Sequence, residues 1–214
     1  MVRFITFEGG DGAGKTTHLK SLAYHLSALG RSCVMTREPG GTSLGTLIRQ
    51  VLLEVGKGPI VSPAEVFLYL ADRAQHVETV IRPAIESGKI VLCDRYIDST
   101  LAYQGYGRGL DLVLLRQMNA VANQGVAPDL TFLLDCPVEL SLSRATQRLL
   151  KKDSATGSED RFERETREFH ERVRAGFLEL ARAEPARFRV VDASRPVDEV
   201  TQEIARLTDR ELEI

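Results

Sequence analysis

The stretch Phe4-Ile5-Thr6-Phe7-Glu8-Gly9-Gly10-Asp11-Gly12-Ala13-Gly14-Lys15-Thr16-Thr17 limits this chain more than any other. An apolar run rich in β-formers stops at a glycine-rich turn. A helical pattern follows at once, with Leu19, Leu22, Ala23 and Leu26 on one face. Gly9, Gly14, Lys15 and Thr16 fit G-x-x-x-x-G-K-[ST], the P-loop, and sit between strand and helix as that motif requires. Glycines there let backbone N–H groups turn inward and line an anion nest. The helix start adds its dipole and its unpaired N–H groups. Lys15 can reach β- and γ-phosphates, and the Thr16 hydroxyl can ligate Mg²⁺. A nucleoside triphosphate, ATP with Mg²⁺, is expected on Gly9, Gly10, Asp11, Gly12, Ala13, Gly14, Lys15, Thr16 and Thr17.

Strand and helix patterns alternate over the rest of the chain. Strands are expected over about 2–8, 32–36, 89–93, 130–134 and 188–191. Helices are expected over about 15–29, 44–55, 62–83, 111–123, 138–150, 162–183 and 196–207. Gly30 reads as the C-cap of the first helix. Ser62-Pro63-Ala64-Glu65 reads as a capping box, and 104–109 as an irregular glycine-rich stretch. Five apolar strands with helical crossovers predict an α/β three-layer sandwich around a five-stranded parallel sheet, the P-loop NTPase fold. No repeat or linker divides it, so 1–214 is expected to be one domain. Ligands of such sheets bind outside the carboxyl ends of the strands. Arg37-Glu38, Asp94-Arg95 and Asp135 end three of the strands, so they should converge there.

Composition narrows the function. The formal net charge is -2, which gives no electrostatic case for nucleic acid. No apolar run approaches the roughly 20 residues of a membrane helix. The first strand begins almost at residue 1, so no leader peptide is expected and the cytoplasm is the default location. The three cysteines, Cys33, Cys93 and Cys136, read as small buried hydrophobes, and the four histidines as surface or helix-flank residues.

Several residues point beyond ATP binding. Asp94, closing an apolar strand, suits Mg²⁺ in the manner of a Walker-B Asp, or caps the next helix. Arg95 suits a second phosphate, or an ion pair. Arg37, Arg49, Tyr69, Arg73, Tyr96, Tyr103 and Tyr106 supply the donors and aromatic faces that a planar base and its phosphate need. Residues 151–160 are polar, with no apolar anchor, and Arg144, Arg148, Lys151 and Lys152 precede or begin them. A mobile cationic lid over about 144–162 is therefore expected, to exclude water during transfer. The P-loop's variable positions carry no basic residue, so the extra cation should come from the lid.

The segments 8–17, Arg37-Glu38-Pro39-Gly40-Gly41-Thr42, Asp94-Arg95-Tyr96-Ile97-Asp98-Ser99 and Ala102-Tyr103-Gln104-Gly105 resemble the signatures of bacterial thymidylate kinases. The resemblance runs from residue 1 to the last helix. It implies phosphorylation of dTMP to dTDP by ATP and Mg²⁺, and a homodimer. It implies that Asp11 accepts the sugar 3′-OH, Tyr69 stacks on thymine, and Arg73 donates to O4. Thr100 or Gln104 would satisfy N3–H, and Tyr103 would exclude a 2′-OH. Arg37 and Arg95 would clamp the acceptor phosphate, with Arg49 and Ser99 in the same pocket. Thr16 and Asp94 would hold Mg²⁺, Arg148 or Arg144 would be the lid arginine on ATP, and 192–196 would flank adenine. Lys15, Arg95, Arg148 and Asp94 would form the catalytic set. Tyr69 departs from the family's Phe, and the lid looks longer and richer in lysine. The alternatives are a kinase of this fold with another nucleotide or nucleoside acceptor, and a partner-regulated P-loop ATPase.

Overall fold

The computed structural model describes residues 2–53, 59–151 and 165–214, with the side chains of 148–151 outside the description. Five parallel strands form one sheet: β1 Phe4–Glu8, β2 Cys33–Arg37, β3 Ile90–Asp94, β4 Leu130–Asp135 and β5 Phe188–Asp192, in the order β2-β3-β1-β4-β5. The helices among the described residues are α1 Lys15–Ala28, α2 Ser43–Leu53, α3 Ser62–His76, α4 Arg82–Glu86, α5 Ile97–Thr100, α6 Leu112–Asn123, α7 Val138–Lys151, α8 Arg167–Ala183 and α9 Val197–Leu212.

Both sheet faces are covered, which is why the central strands read as unbroken apolar runs. Consecutive side chains point to opposite faces. Ile5 and Phe7 pack with Leu19, Leu22 and Leu26 of α1 and Val200 and Ile204 of α9. Phe4 points the other way, to Val77, Ile81, Val91 and Tyr96. On that second side Leu133 meets Val66, Leu115, Val173 and Phe177 of α3, α6 and α8. Pairing puts Arg37 opposite Asp94, Phe7 opposite Asp94, and Asp135 opposite Asp192. The polar strand ends therefore share one edge, as expected.

Several local expectations need correcting. The capping box does not form: Val61 is the N-cap of α3, Ser62 is already helical, and no side chain caps the start. Glu65 is turned inward instead, fully buried, and accepts from Gln104 Nε2 at 2.8 Å. Helix α3 continues through a π-helical turn, Val77–Ile81, into α4, which carries Pro83 near its start. Of the stretch expected to be irregular, 104–109, residues 104–107 belong to a π-helical turn, Leu101–Gly107, and 108–109 lie beyond it. Its glycines explain the misreading. A β-carbon on Gly105 would lie 2.4 Å from Leu112 Cδ2, and one on Gly107 2.7 Å from Phe169 Cε2. They allow close packing rather than looseness. His18, His76 and His170 lie on helices, as the helix-flank reading allows, but are buried rather than at the surface. Thr166 caps α8, α9 runs on to Leu212, and Gly30 takes the left-handed φ of 72° expected after a helix. Of the expected lid, 144–151 continues α7 and 152–162 lies outside the described residues, as does 162–164 of the helix expected over 162–183.

Candidate active site

The turn after β1 is shaped by positions that admit glycine alone. Gly12 has φ 81°, and a β-carbon there would stand 2.0 Å from the Ser141 carbonyl oxygen of α7. Gly9 has φ 131° and the same constraint against the Leu134 carbonyl, at 2.5 Å. The loop is thus wedged between β4 and α7 with its N–H groups free to curl. Lys15, 7% exposed, folds over it and donates to the carbonyls of Gly9 (3.0 Å) and Gly10 (2.7 Å). Burial, then the nearby Arg95 guanidinium, pushes the Lys15 ammonium down to about 8. Removing an ammonium from water disfavours its charge, and a second cation adds to the effect; the negative charge of an arriving phosphate would oppose both.

One cleft of about 770 Å³ opens at the carboxyl edge of the sheet. That volume falls in the ordinary range for ligand sites. Asp11, Gly12, Gly14, Lys15, Thr16, Thr17, Arg37, Arg49, Tyr69, Arg73, Asp94, Arg95, Ser99, Thr100, Tyr103, Gln104 and Arg144 all line it. The residues expected from sequence in the two binding sites are thereby brought together, with four exceptions. Gly9 and Gly10 form the back of the turn and Ala13 is buried beneath it. The Arg148 side chain lies outside the description.

At the P-loop end, Thr16 Oγ1 donates to Asp94 Oδ2 at 2.5 Å. Two hard oxygens in contact beside a phosphate nest suit Mg²⁺, which keeps most of its waters and takes phosphate oxygens alongside one or two protein ligands. Arg144 Nη1 donates to the Ala193 carbonyl at 2.7 Å, tying α7 to the turn after β5, where Asp192 Oδ1 accepts from Ser194 N–H and its hydroxyl.

At the other end, Arg95 has φ 71°, an unusual backbone for a non-glycine residue, and it sends its side chain back over the P-loop. It donates to the Gly9 carbonyl (3.0 Å), Ser99 Oγ (3.1 Å), Asp11 Oδ1 (2.6 Å) and the Tyr103 hydroxyl (3.0 Å). Burial would raise the Asp11 carboxyl, but Arg95 and Lys15 outweigh it and hold it well below the usual carboxylate range. Arg73, 1% exposed, is engaged by Glu38 Oε2 (2.8 Å), Thr100 Oγ1 (3.1 Å), Asn119 Oδ1 and the Tyr96 carbonyl (3.0 Å). Arg49 Nη1 donates to the Pro39 carbonyl, and Arg37 lies exposed on the cleft wall.

Sequence reasoning passed over the buried carboxylates that brace this cleft. Glu8 accepts from Tyr96 N–H (2.8 Å) and Ser99 Oγ (2.6 Å), fixing the turn that carries Arg95. Burial pushes the Glu8 carboxyl up to about 7, helped by Asp98 and opposed by Ser99, Arg95 and the Tyr96 N–H. A charged residue closing an apolar strand was the available signal. Lys20 also lines the cleft, and its i, i+4 spacing from Thr16 could have found it.

A family model described as Thymidylate kinase matches residues 7–204. The chain belongs to the thymidylate kinase family. It is 54% identical over 197 residues to "Thymidylate kinase" of Desulfovibrio desulfuricans, covering 92% of this chain and 90% of that one. It is 50% identical over 214 residues to "Thymidylate kinase" of Syntrophotalea carbinolica, covering 100% and 98%. The fold is shared with a crystal structure of thymidylate kinase from Ehrlichia chaffeensis, at TM-score 0.77 and 34% identity over 97% of this chain and 98% of that one. Membership in the family carries the five-stranded P-loop architecture across the whole cleft, from the turn after β1 to the turn after β5.

Proposed function

We propose that this chain transfers the γ-phosphoryl group of ATP to dTMP, giving dTDP and ADP. A dTMP phosphate oxygen attacks the γ-phosphorus in line, and the bond from phosphorus to the ADP oxygen breaks. The observation that carries the reading is the continuity of the cleft. The P-loop with Lys15 and Thr16 opens into a second chamber walled by Arg37, Arg49, Arg73, Arg95 and the Tyr69 ring. A P-loop ATPase switch has no use for that second, arginine-lined chamber.

The roles follow from position and chemistry. Lys15 and the loop N–H groups hold the donor phosphates. Thr16 and Asp94 would hold Mg²⁺, which would offset the charge of the donor phosphates. Arg37 and Arg95 clamp the acceptor phosphate, with Arg49 and Ser99 beside them. Asp11 accepts the 3′-OH, Tyr69 stacks on the base, and Tyr103 fills the space a 2′-OH would need. Arg73 reaches O4 through Nη2, one of whose N–H groups is taken by the Tyr96 carbonyl. Arg144, with Arg148 one turn on in α7, serves the ATP side. No general base is required, because the acceptor phosphate is ionised at neutral pH; the protein contributes position and charge.

A homodimer is supported by an apolar face across adjacent helices: Leu44, Leu47 and Val51 of α2, Phe67 of α3, and Val113, Leu114 and Val121 of α6 are all exposed. Helix α3 packs against both α2 and α6, and exposed apolar side chains on neighbouring helices suit a contact surface. Three free cysteines support a reducing compartment such as the cytoplasm. No helix among the described residues is long and apolar enough to cross a membrane.

Arg95→Ala and Arg37→Ala test the assignment of the two chambers. Each should raise KM for dTMP by about tenfold or more while leaving KM for ATP nearly unchanged. The opposite pattern would reverse the two chambers.

A further inference from the structure

Gln104 stands at the base end of the cleft, on the π-helical turn, 2% exposed. Behind it lies Glu65 of α3, at 0% exposure. Gln104 Nε2 donates to Glu65 Oε1 at 2.8 Å. Arg108 Nη2 donates to the other Glu65 oxygen at 3.4 Å, and Arg108 Nη1 meets Glu165 Oε1 at 2.6 Å. A carboxylate paired with a guanidinium accepts hydrogen bonds and gives none. Only the NH₂ end of the Gln104 amide can therefore face Glu65, and the carbonyl oxygen is the end left for the cleft. Thr100, the other residue expected at the base N3–H, already accepts from Arg73 Nη1 at 3.1 Å.

We propose that Glu65 is a positioning residue that sets base specificity. By holding the Gln104 amide in one orientation, it presents a hydrogen-bond acceptor to the incoming base. Bases with a proton on N3, thymine and uracil, are matched. Cytosine, whose N3 is itself an acceptor, meets an oxygen lone pair and leaves two buried acceptors unsatisfied. A mismatch of that kind in a site built for a donor is rejected far more strongly than a change in size. The inference rests on the dTMP kinase reading above and adds to it a residue that touches no substrate.

The test is Glu65→Gln. A glutamine at 65 can offer either end of its amide, so Gln104 is free to turn and present its NH₂ group. The kcat/KM ratio of dCMP to dTMP should rise severalfold, mainly through KM, the rise being limited because the Arg73 donor assigned to O4 still meets cytosine's amino group. The ratio of dUMP to dTMP should stay as in the wild type, since both bases carry N3–H. A parallel fall for dTMP, dUMP and dCMP, with ratios unchanged, would mean that Glu65 only supports the fold and would overturn the proposal. Thermal unfolding shows whether the variant is folded. If it is not, the swapped pair Glu65→Gln/Gln104→Glu decides. Its carboxylate at 104 always presents an acceptor, so a retained dTMP preference supports the proposal and a lost one overturns it. Wild-type enzyme inactive on dTMP would instead remove the underlying reading.

Discussion

Asp11 and Arg95 are tied across the floor of the cleft, with Arg95 Nη2 donating to Asp11 Oδ1 at 2.6 Å. The Tyr103 hydroxyl donates to the other Asp11 oxygen at 2.8 Å and accepts from Arg95 at 3.0 Å. The three side chains form a closed ring that joins the P-loop to the acceptor chamber. On the proposed assignment, the guanidinium that meets the acceptor phosphate is oriented by a residue of the loop that holds the donor. Asp11→Asn should weaken both this orientation and the acceptor proposed for the 3′-OH, and raise KM for dTMP about tenfold or more, with KM for ATP changing less. Steady-state kinetics with each substrate varied in turn would show it. An unchanged KM for dTMP would mean that Arg95 needs no such partner.

Glu38 anchors the wall behind Arg37. Its carboxylate, 3% exposed, accepts from Arg73 Nε at 2.8 Å and faces His76 Nδ1 at 2.9 Å. Arg73 is itself buried, so losing Glu38 strands a guanidinium in the interior. Glu38→Ala is expected to cost about 3–5 kcal/mol of stability, measured by urea unfolding. A loss below about 1 kcal/mol would mean that the remaining Arg73 acceptors suffice.

Asp72 makes stability depend on pH in an unusual direction. One oxygen accepts from Gly40 N–H at 3.1 Å, and the other has no hydrogen-bond partner among the described residues. Burial, with the Glu38 carboxylate nearby, pushes its carboxyl from 3.8 up to about 6. The folded state therefore holds this proton more tightly than the unfolded chain. Stability is favoured below the ordinary value, falls as pH rises through the interval to about 6, and is level above it. About two units at roughly 1.4 kcal/mol each set a ceiling near 3 kcal/mol. Asp72→Asn should remove this slope. Glu8, pushed up to about 7, slopes the same way and remains in the variant, so the difference between the two proteins is the readout. Parallel stability curves from about pH 4 to 7 would rule out the assignment to Asp72.

The apolar face of α2, α3 and α6 gives a prediction about assembly. Leu47 is 59% exposed and Phe67 62% exposed. Leu47→Glu/Phe67→Glu places charge where a partner chain would dehydrate it. The variant should sediment as a monomer under conditions in which the wild type sediments as a dimer. Identical sedimentation would place the dimer contact elsewhere or remove it.

The sheet was legible because its central strands, covered on both faces, read as near-continuous apolar runs, and because Gly9–Thr16 leaves little choice about what lies on either side. The strand-end charges Arg37, Asp94 and Arg95 were legible for the same reason: each ends an apolar run. The braces were not. Glu65 carried the sequence signature of a helix cap, yet burial with Gln104 and Arg108 outweighs one exposed N-terminal hydrogen bond. Gly105 and Gly107 looked like a loop because sequence does not distinguish a glycine chosen for φ from one chosen to let Leu112 or Phe169 approach. His76 was misread because its partners, Glu38 and Thr36, lie about 40 residues away, on another element.

The most direct measurement is ADP release with ATP and Mg²⁺, comparing dTMP, dUMP, ribose TMP, AMP, thymidine and no acceptor. Strong turnover with dTMP, weaker turnover with dUMP and little with the ribose form is the expected result, with Tyr103 guarding the sugar and the Tyr69–Gln104 end reading the base. Turnover with thymidine in preference to dTMP, or ADP release at full rate without an acceptor, would contradict the two-chamber kinase and leave only the P-loop assignment standing.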